Sequence, residues 1–229
     1  MGSTDSDDRA SAPTFTVKDC ALVTLATGRK VRLLQELRNR LEEIDTASLY
    51  HHFWGGLLAS RFEEREYHND FAAWVRHGIH DTVLAERLAV LDPTGFSDLE
   101  ALRQEILEQI DNRLDEAEHL SWSRATVQFE FVCSQIVVFH THRELERPEE
   151  LAEVMPELSP SSVFYHFIDA RRRTPDRRDD FSDWLSGYGE SYSELQSQLA
   201  GVDPYFGSLS ELRDELGELF SGYFGGNGQ

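Results

Sequence analysis

The stretch that decides the fold is Ser-Leu-Tyr-His-His-Phe at residues 48–53, because it returns 114 residues later as Ser-Val-Phe-Tyr-His-Phe at residues 162–167. Three further pairs follow in the same order at a spacing of 110 or 111 residues: Asp70–Trp74 with Asp180–Trp184, Asp92-Pro93 with Asp203-Pro204, and Leu102–Glu105 with Leu212–Glu215. Matches that keep their order and nearly keep their spacing indicate an internal duplication, and a repeated unit that cannot bury its own apolar face packs against its copy. We therefore expect a two-lobed body of two tandem structural repeats related by a pseudo-twofold axis.

The repeats divide the 229 residues into five segments. We place repeat one at residues 14–116 and repeat two at residues 127–224, with a linker at residues 117–126 between them. Residues 1–13 and 225–229 are mainly small and polar, which is typical of solvated disordered tails. The first of these tails lacks the apolar stretch of a signal peptide, and no segment approaches the ~18 apolar residues of a membrane span. The sequence thus predicts a cytoplasmic protein without a membrane partner.

Strand and helix patterns follow one another in the same way in both halves. Alternating apolar residues from Phe15 predict a strand with a bulge near Asp19-Cys20, and a β-branched and aromatic run over residues 127–139 predicts a second strand. Helical spacing of apolar residues follows each strand, and Asp70 and Asp180 stand where helix N-caps are expected. The repeated Ser-x-x-x-His-Phe segment fits either a strand or the start of a helix. The fold class is therefore α+β, mostly helical with a small β-sheet in which the two strands pair across the axis.

The charge balance limits the partners. Forty-two acidic residues oppose 22 basic ones, which gives a net charge of −20, and only Lys18 and Lys30 among the bases are lysine. This composition fits either adaptation to salt or a GC-rich genome. In both cases the net charge repels nucleic acids and anionic membranes at long range, so we expect neither as a partner. Cys20 and Cys133 lack the spacing of a zinc site, and we expect both thiols to be reduced and buried.

His52 and His166 are the histidines that occupy matching positions in both halves. Related by a pseudo-twofold axis, they would meet in an open cleft and act as catalytic residues that shuttle a proton or bind an ion. The alternative is that each is buried, with its ring nitrogens satisfied, and holds the turn before the next helix. We favour the structural interpretation because both have aromatic neighbours in the sequence.

Three other groups are weaker candidates. Trp74 and Trp184 have the shape to stack a ligand ring, although a buried core position is the usual place of a tryptophan. His77 and His80 lie one helical turn apart and, with Asp81, are candidate metal ligands, although exposed polar surface explains them as well.

The run at residues 171–178 contains five arginines on an otherwise acidic chain. Its first members, Arg171, Arg172 and Arg173, are candidates to bind a phosphate or carboxylate group. They also have the charge to pair with acidic residues of the matching loop, namely Glu63, Glu64 and Glu66. We favour this intramolecular pairing.

The absence of nucleotide-binding, nucleophile-elbow and zinc-protease motifs leads us to expect no cofactor. Two functions follow. The first is a non-catalytic binding, scaffold or ligand-sensing module whose partner is a protein or a small anionic ligand. The second is an enzyme for a small polar or phosphorylated substrate that uses His52, His166 and the Arg171–Arg173 cluster, with or without a metal ion. We favour the first.

The residues also carry a family resemblance. Residues 48–58, 67–74 and 84–93 in the first half, and residues 134–139, 164–173 and 203–206 in the second, resemble a prokaryotic family known only as a domain of unknown function. The resemblance extends over nearly the whole chain after the first tail. It implies a soluble cytoplasmic protein of bacteria or archaea and transfers no catalytic role.

Overall fold

The computed structural model describes residues 14–58, 66–205 and 207–226. Our expected tail at residues 1–13 lies outside these ranges, as do the last three residues of the tail that we expected at residues 225–229. The first two residues of that second tail are the end of the last helix, which runs to Gly226.

A long two-stranded antiparallel ribbon is the only sheet in the described part of the chain. Strand β1 covers Phe15–Leu33 and strand β2 covers Arg124–Leu145. β2 begins inside the segment that we expected to be a linker, after a short 3₁₀ turn at Glu118–Ser121. Both strands are rich in Val, Thr, Phe and Leu, residues that favour extended backbone because their side chains pack well on a pleated surface.

The ribbon carries two matching irregularities, one towards each end. The register shifts between Val17 and Lys18, and again between Ala26 and Arg29. The residues left over are Thr141-His142 on β2 and Thr27-Gly28 on β1, and in each pair the second residue has a positive φ. In each pair the threonine hydroxyl donates to a carbonyl of the opposite strand. The first shift is one residue earlier than the bulge that we expected near Asp19-Cys20, because Asp19 and Cys20 stay in regular pairing.

Helices surround the two ends of the ribbon. Those between the strands are α1 (Leu34–Glu43), α2 (Thr46–Tyr50), α3 (Asp70–Trp74), α4 (Thr82–Ala89) and α5 (Leu99–Glu116). Those after β2 are α6 (Glu150–Val154), α7 (Pro160–Val163), α8 (Ala170–Arg173), α9 (Asp180–Ser186), α10 (Ser193–Ala200) and α11 (Leu209–Gly226). Wide π-helical turns extend α2 through His51–Gly55, extend α3 through Val75–Ile79, and join α7 to α8 through Phe164–Asp169. The Ser-x-x-x-His-Phe segments are thus helical.

Each end of the ribbon is buried in an aromatic cluster. At one end Phe15 of β1 packs against Phe181 and Trp184, with ring centroids 5.3 and 5.2 Å away. At the other end Phe129 of β2 packs against Phe71, 5.2 Å away, and against Trp74. The helices that follow β1 therefore cover part of β2, and the helices that follow β2 cover part of β1. Because each half covers a strand of the other half, the two halves share one core.

Two helix starts differ from the sequence expectation by one residue. The N-caps of α3 and α9 are Asn69 and Asp179, whose side chains accept hydrogen bonds from the backbone N–H groups of Ala72 and Ser182. Asp70 and Asp180 are the first helical residues instead. Their carboxylates lie beside histidines, and Asn and Asp cap equally well one position earlier.

The architecture is mostly helical with a small two-stranded antiparallel sheet, which confirms the α+β class. None of the described helices is both long and apolar enough to cross a bilayer.

Candidate functional site

His52 connects the helices of the first half to β2, opposite the Thr27-Gly28 bulge of β1. Its Nε2 accepts a hydrogen bond from the backbone N–H of Val132 at 3.2 Å. Its Nδ1 therefore carries the ring proton and donates to the Asp70 carboxylate, 2.9 Å away. The ring is 3% exposed. A bulge leaves a backbone group without a partner in the ladder, and here the imidazole supplies that partner.

His166 makes the corresponding contacts on β1. Its Nε2 accepts from the backbone N–H of Lys18 at 2.8 Å, and its Nδ1 lies 2.8 Å from the Asp180 carboxylate. The ribbon residue whose N–H donates to the histidine also accepts at its carbonyl from a serine hydroxyl. Ser162 donates to Lys18, and Ser48 donates to Val132. In both places a backbone N–H and C=O at a bulge are held by a His-Asp pair and a serine.

The structure does not bring His52 and His166 together. Val132 is paired with Ala26 in the ribbon, and Ala26 lies eight residues along β1 from Lys18. At ~3.3 Å per residue, the two backbone N–H groups that bind the imidazoles lie about 26 Å apart. Such a separation is too large for one ion or one proton shuttle, and both nitrogens of each ring already have partners.

One described group has the composition of a metal site: a ligand atom from each of His51, His52 and Asp70 lies within 4.8 Å of the others. The hydrogen bonds explain this closeness without an ion. His51 Nδ1 lies 2.7 Å from the Ser134 hydroxyl, and the proton on His52 Nδ1 faces Asp70. A metal would have to displace that proton, so the residues do not form a ready site.

The weaker metal candidates are His77, His80 and Asp81. His77 and Asp81 contact other residues instead of sharing a site. His77 pairs with Glu66 at the surface, with 2.9 Å between Nε2 and the carboxylate. Asp81 caps α4 and also accepts hydrogen bonds from Nε and Nη2 of Arg113. Burial raises the pKa of Asp81, but the hydrogen bonds from Arg113 and from the backbone N–H of Leu84 outweigh it and lower that pKa overall. His80 takes a left-handed backbone conformation at the end of the π-helical turn.

Trp74 and Trp184 are buried core residues, each 7% exposed. The indole N–H of Trp74 donates to the backbone carbonyl of Val127 at 2.7 Å. Trp184 packs against Phe15 and Tyr188. Neither ring offers a free face for a ligand.

On α8, Arg172 and Arg173 have different contacts from Arg171. Arg172 and Arg173 both donate to Asp169, a buried carboxylate that sequence analysis did not identify and that also accepts from the Tyr50 hydroxyl. Arg173 reaches Asp180 as well, at 3.0 Å. We expected the arginines to pair with Glu63, Glu64 and Glu66 of the other half. Glu63 and Glu64 lie outside the described residues, and Glu66 pairs with His77.

Arg171 points elsewhere. Its guanidinium lies over the Phe167 ring, 4.6 Å from the centroid, and it forms no ion pair with any residue in the described ranges. Its charge lowers the pKa of Asp179, although burial raises that pKa overall. Arg171 thus packs on an apolar ring and has no direct carboxylate partner among the described residues.

Arg171 lies in the wall of two adjoining cavities. The smaller, about 310 Å³, lies between the arginine run and the start of α5, and its lining includes Ser97, Asp98, Thr174 and Arg177. The larger, about 410 Å³, lies between the two Asp-Pro turns, and its lining includes Phe53, His68, Asp92, Asp203 and Tyr205. We call these two spaces together the arginine cleft. Burial raises the pKa of Tyr205 well above its ordinary value, so its hydroxyl stays protonated.

The model of DUF5752, a family of unknown function, matches residues 12–221. No curated protein matches the chain. Among solved structures, OrfY from Thermoproteus tenax is similar, with a TM-score of 0.78 and 25% sequence identity over 92% of this chain and 95% of OrfY. The family match extends over almost the full length and confirms the resemblance to a family of unknown function. The chain belongs to the DUF5752 family.

Proposed function

We propose that the protein is a non-catalytic binding module that holds the phosphate or carboxylate group of a small ligand in the arginine cleft. The observation that carries the proposal is the position of Arg171, which faces two adjoining cavities and has no ion pair in the described part of the chain. The Phe167 ring beneath its guanidinium restricts the side chain, which lowers the entropy that binding would otherwise remove.

Charge around the cleft supports an anion rather than a cation. Arg171 and Arg177 both line the smaller cavity, in which Asp98 is the one acidic lining residue and already caps α5 by accepting from the backbone N–H of Ala101. A guanidinium matches phosphate and carboxylate oxygens with two parallel donors. The larger cavity contains Asp92, Asp203 and the Tyr205 hydroxyl, which favour a ligand whose remainder has hydroxyl or amino groups.

The geometry does not favour an enzyme that uses both histidines. His52 and His166 engage both ring nitrogens inside the fold and hold points about 26 Å apart on the ribbon. In addition, every deeply buried side-chain nitrogen and oxygen in the described ranges has a hydrogen-bond partner, so no buried polar group awaits a substrate.

We further propose that the two halves are tandem repeats related by a pseudo-twofold axis. Six contacts support this. The bonds of His52, Ser48 and Thr27 with β2 recur for His166, Ser162 and Thr141 with β1, and each residue and each partner is shifted by 114 positions. From Phe15–Leu145 to Val31–Phe129 the ribbon register is unchanged by the same shift. Unpaired thiols at Cys20 and Cys133 also favour a cytoplasmic location.

The test of the binding proposal is a thermal-shift and calorimetric titration of the full chain with inorganic phosphate and with acetate at constant ionic strength. We expect phosphate to stabilise the protein, by ~2.7 kcal/mol at a hundredfold excess over its dissociation constant. Arg171→Gln should remove the effect. Arg147→Gln, which alters an exposed arginine on another part of the surface, should retain it. No stabilisation of the wild type, or an equal loss in both variants, would overturn the proposal.

A further inference from the structure

The middle of the ribbon presents an uncovered apolar face. Alternation along the strands places Val23 and Leu25 of β1 on the same face as Val137 and Phe139 of β2, because cross-strand partners share a face. Their exposed fractions are 46%, 58%, 45% and 46%, in that order. We call these four residues the ribbon face. They lie between the two bulges, where the helices that bury both ends do not reach.

The same region is uncharged on a highly charged protein. Residues 20–26 and 132–138 contain no Asp, Glu, Lys or Arg, although charged residues make up 28% of the chain, so fourteen residues would carry about four on average. Asp19, the cross-strand partner of Phe139, borders this region, and its carboxylate oxygens accept hydrogen bonds from the Cys20 N–H and the Ser159 hydroxyl. Edge strands usually carry a charge or a proline that prevents pairing with another chain. This segment has neither, and each of its strands has a paired neighbour on one side only.

We propose that the ribbon face is the interface through which two copies of this chain associate. A partner recognised by charge has nothing to bind there. The chain's own first segment, residues 1–13, is mainly small and polar and has Met1 as its one large apolar residue, so it does not match an apolar surface. A second copy offers a matching neutral apolar face. Two molecules of charge −20 repel one another elsewhere on their surfaces and approach most favourably where the charge is absent.

The symmetry of the face fits a twofold contact. Val23 and Val137 are separated by 114 positions, as are Leu25 and Phe139, and the register pairs Leu22 with Ile136 at the centre. Two such ribbons stacked at the ~10 Å spacing of packed sheets would interdigitate these side chains about a twofold axis.

The size of the face sets the strength of association. Seven residues of each strand span an area of roughly 23 Å by 10 Å, which is well below the ~800 Å² per partner of a standard stable interface. We therefore expect a weak, reversible dimer. Its affinity should rise with salt, since screening weakens the repulsion between two acidic bodies while the apolar contact is unaffected.

The experiment is sedimentation velocity of the full chain from about 2 to 200 µM, in about 50 mM and about 0.5 M NaCl. We expect a monomer–dimer equilibrium that shifts towards dimer at the higher salt concentration. Val137→Lys should weaken dimerisation at least ~100-fold with an unchanged melting temperature, because it places a charge in an apolar contact. Val83→Lys, which alters a valine of similar exposure (43%) on α4, is the matched control and should dimerise normally.

Three results would overturn the proposal. A wild-type monomer at 200 µM in high salt excludes self-association at this face. A dimer that is insensitive to Val137→Lys, or one that Val83→Lys disrupts, uses another surface. A monomer that binds neutral phosphatidylcholine vesicles, with loss of binding in Val137→Lys, assigns the face to a lipid surface instead. None of these results depends on phosphate binding at Arg171, so the two proposals fail separately.

Discussion

His52 and His166 engage both ring nitrogens with partners inside the protein, whereas Arg171 rests on the Phe167 ring and faces a cavity. Both sets of residues are the kind that sequence analysis selects as functional. The imidazoles accept hydrogen bonds from the backbone N–H groups that have no partner in the ladder at the bulges. The Arg171 guanidinium makes no backbone hydrogen bond of this kind in the described part of the chain.

The contrast separates a polar residue that the fold requires from one that it does not. A buried imidazole between a backbone N–H and a carboxylate can be removed only at the expense of two hydrogen bonds and a filled volume. A partly exposed guanidinium above an aromatic ring is held by packing alone, and its donors stay available to a ligand.

The largest effect is expected at the ribbon histidines. His166→Ala leaves the backbone N–H of Lys18 without its acceptor and opens a cavity beside Phe15, so the free energy of unfolding should fall by about 3 kcal/mol. His52→Ala should have a similar effect at Val132. Urea denaturation at neutral pH measures both.

The control for this pair is His77→Ala, which alters an exposed imidazole whose side chain is 62% accessible, and it should change stability by less than ~0.5 kcal/mol. A His52 variant as stable as the wild type would mean that the bulge finds another acceptor, and the imidazole would regain its standing as a functional candidate.

An intermediate effect is expected at Asp81, whose carboxylate joins the start of α4 to Arg113 on α5. Asp81→Asn keeps the cap on Leu84 but loses the ionic contact with Arg113, and we expect a loss of about 2 kcal/mol at pH 7. The folded-state pKa of Asp81 lies below its ordinary value of 3.8. The stability that it contributes is therefore complete above roughly pH 5 and is lost as the pH falls through the folded-state pKa.

Urea denaturation of wild type and Asp81→Asn at pH 7 and near pH 3 tests this dependence. The difference between the two proteins should shrink in acid. A difference that stays constant with pH would assign the effect to packing and not to charge.

A smaller effect, of opposite sign, is expected at the N-cap of α9. Asp179 is 3% exposed and burial raises the pKa of its carboxyl, whereas the matching cap of α3 is the neutral Asn69. A carboxyl with a raised folded-state pKa binds its proton more tightly in the folded protein, so stability falls as the pH rises through that pKa. Asp179→Asn keeps an acceptor for Ser182 and should stabilise the protein by roughly 1 kcal/mol near pH 8.

Chemical denaturation across pH provides the readout for Asp179→Asn. The gain should disappear below about pH 4, where the carboxyl is protonated in both folded and unfolded states. Asn69→Asp supplies the reciprocal variant, and we expect it to destabilise near neutral pH. A stabilising effect of Asn69→Asp would show that charge at these caps matters more than burial.

Sequence analysis predicted the strands, the helices and the buried state of the matched histidines, because these depend on local periodicity and on the repeated pattern. It did not predict which helices cover which strand, since both arrangements preserve the same spacing. The cap positions of α3 and α9 were one residue off because Asn69 and Asp70 are equally good caps by type.

The candidate site was only partly accessible from the sequence. Consecutive residues on a helix point about 100° apart, and this rule alone indicates that Arg171 and Arg173 face different directions. Asp169, the buried partner of Arg172 and Arg173, has no distinguishing pattern around it, because its role depends on residues such as Tyr50 that are distant in the chain. The cleft itself arises where two Asp-Pro turns from opposite halves meet.

The smallest effect on stability is expected for the residue proposed to bind the ligand. Arg171→Gln removes a cation that forms no ion pair in the described ranges, so we expect less than ~0.5 kcal/mol of change in the absence of ligand. Its neighbour Arg173 donates to Asp169, Asp180 and the Tyr165 carbonyl, and Arg173→Gln should lose about 2 kcal/mol. Urea denaturation of both variants in phosphate-free buffer compares two arginines of one helix that differ in their partners. If Arg171→Gln is as destabilising as Arg173→Gln, the Arg171 charge is needed to hold the buried Asp179 carboxylate, and the cleft has no cation free for an anion.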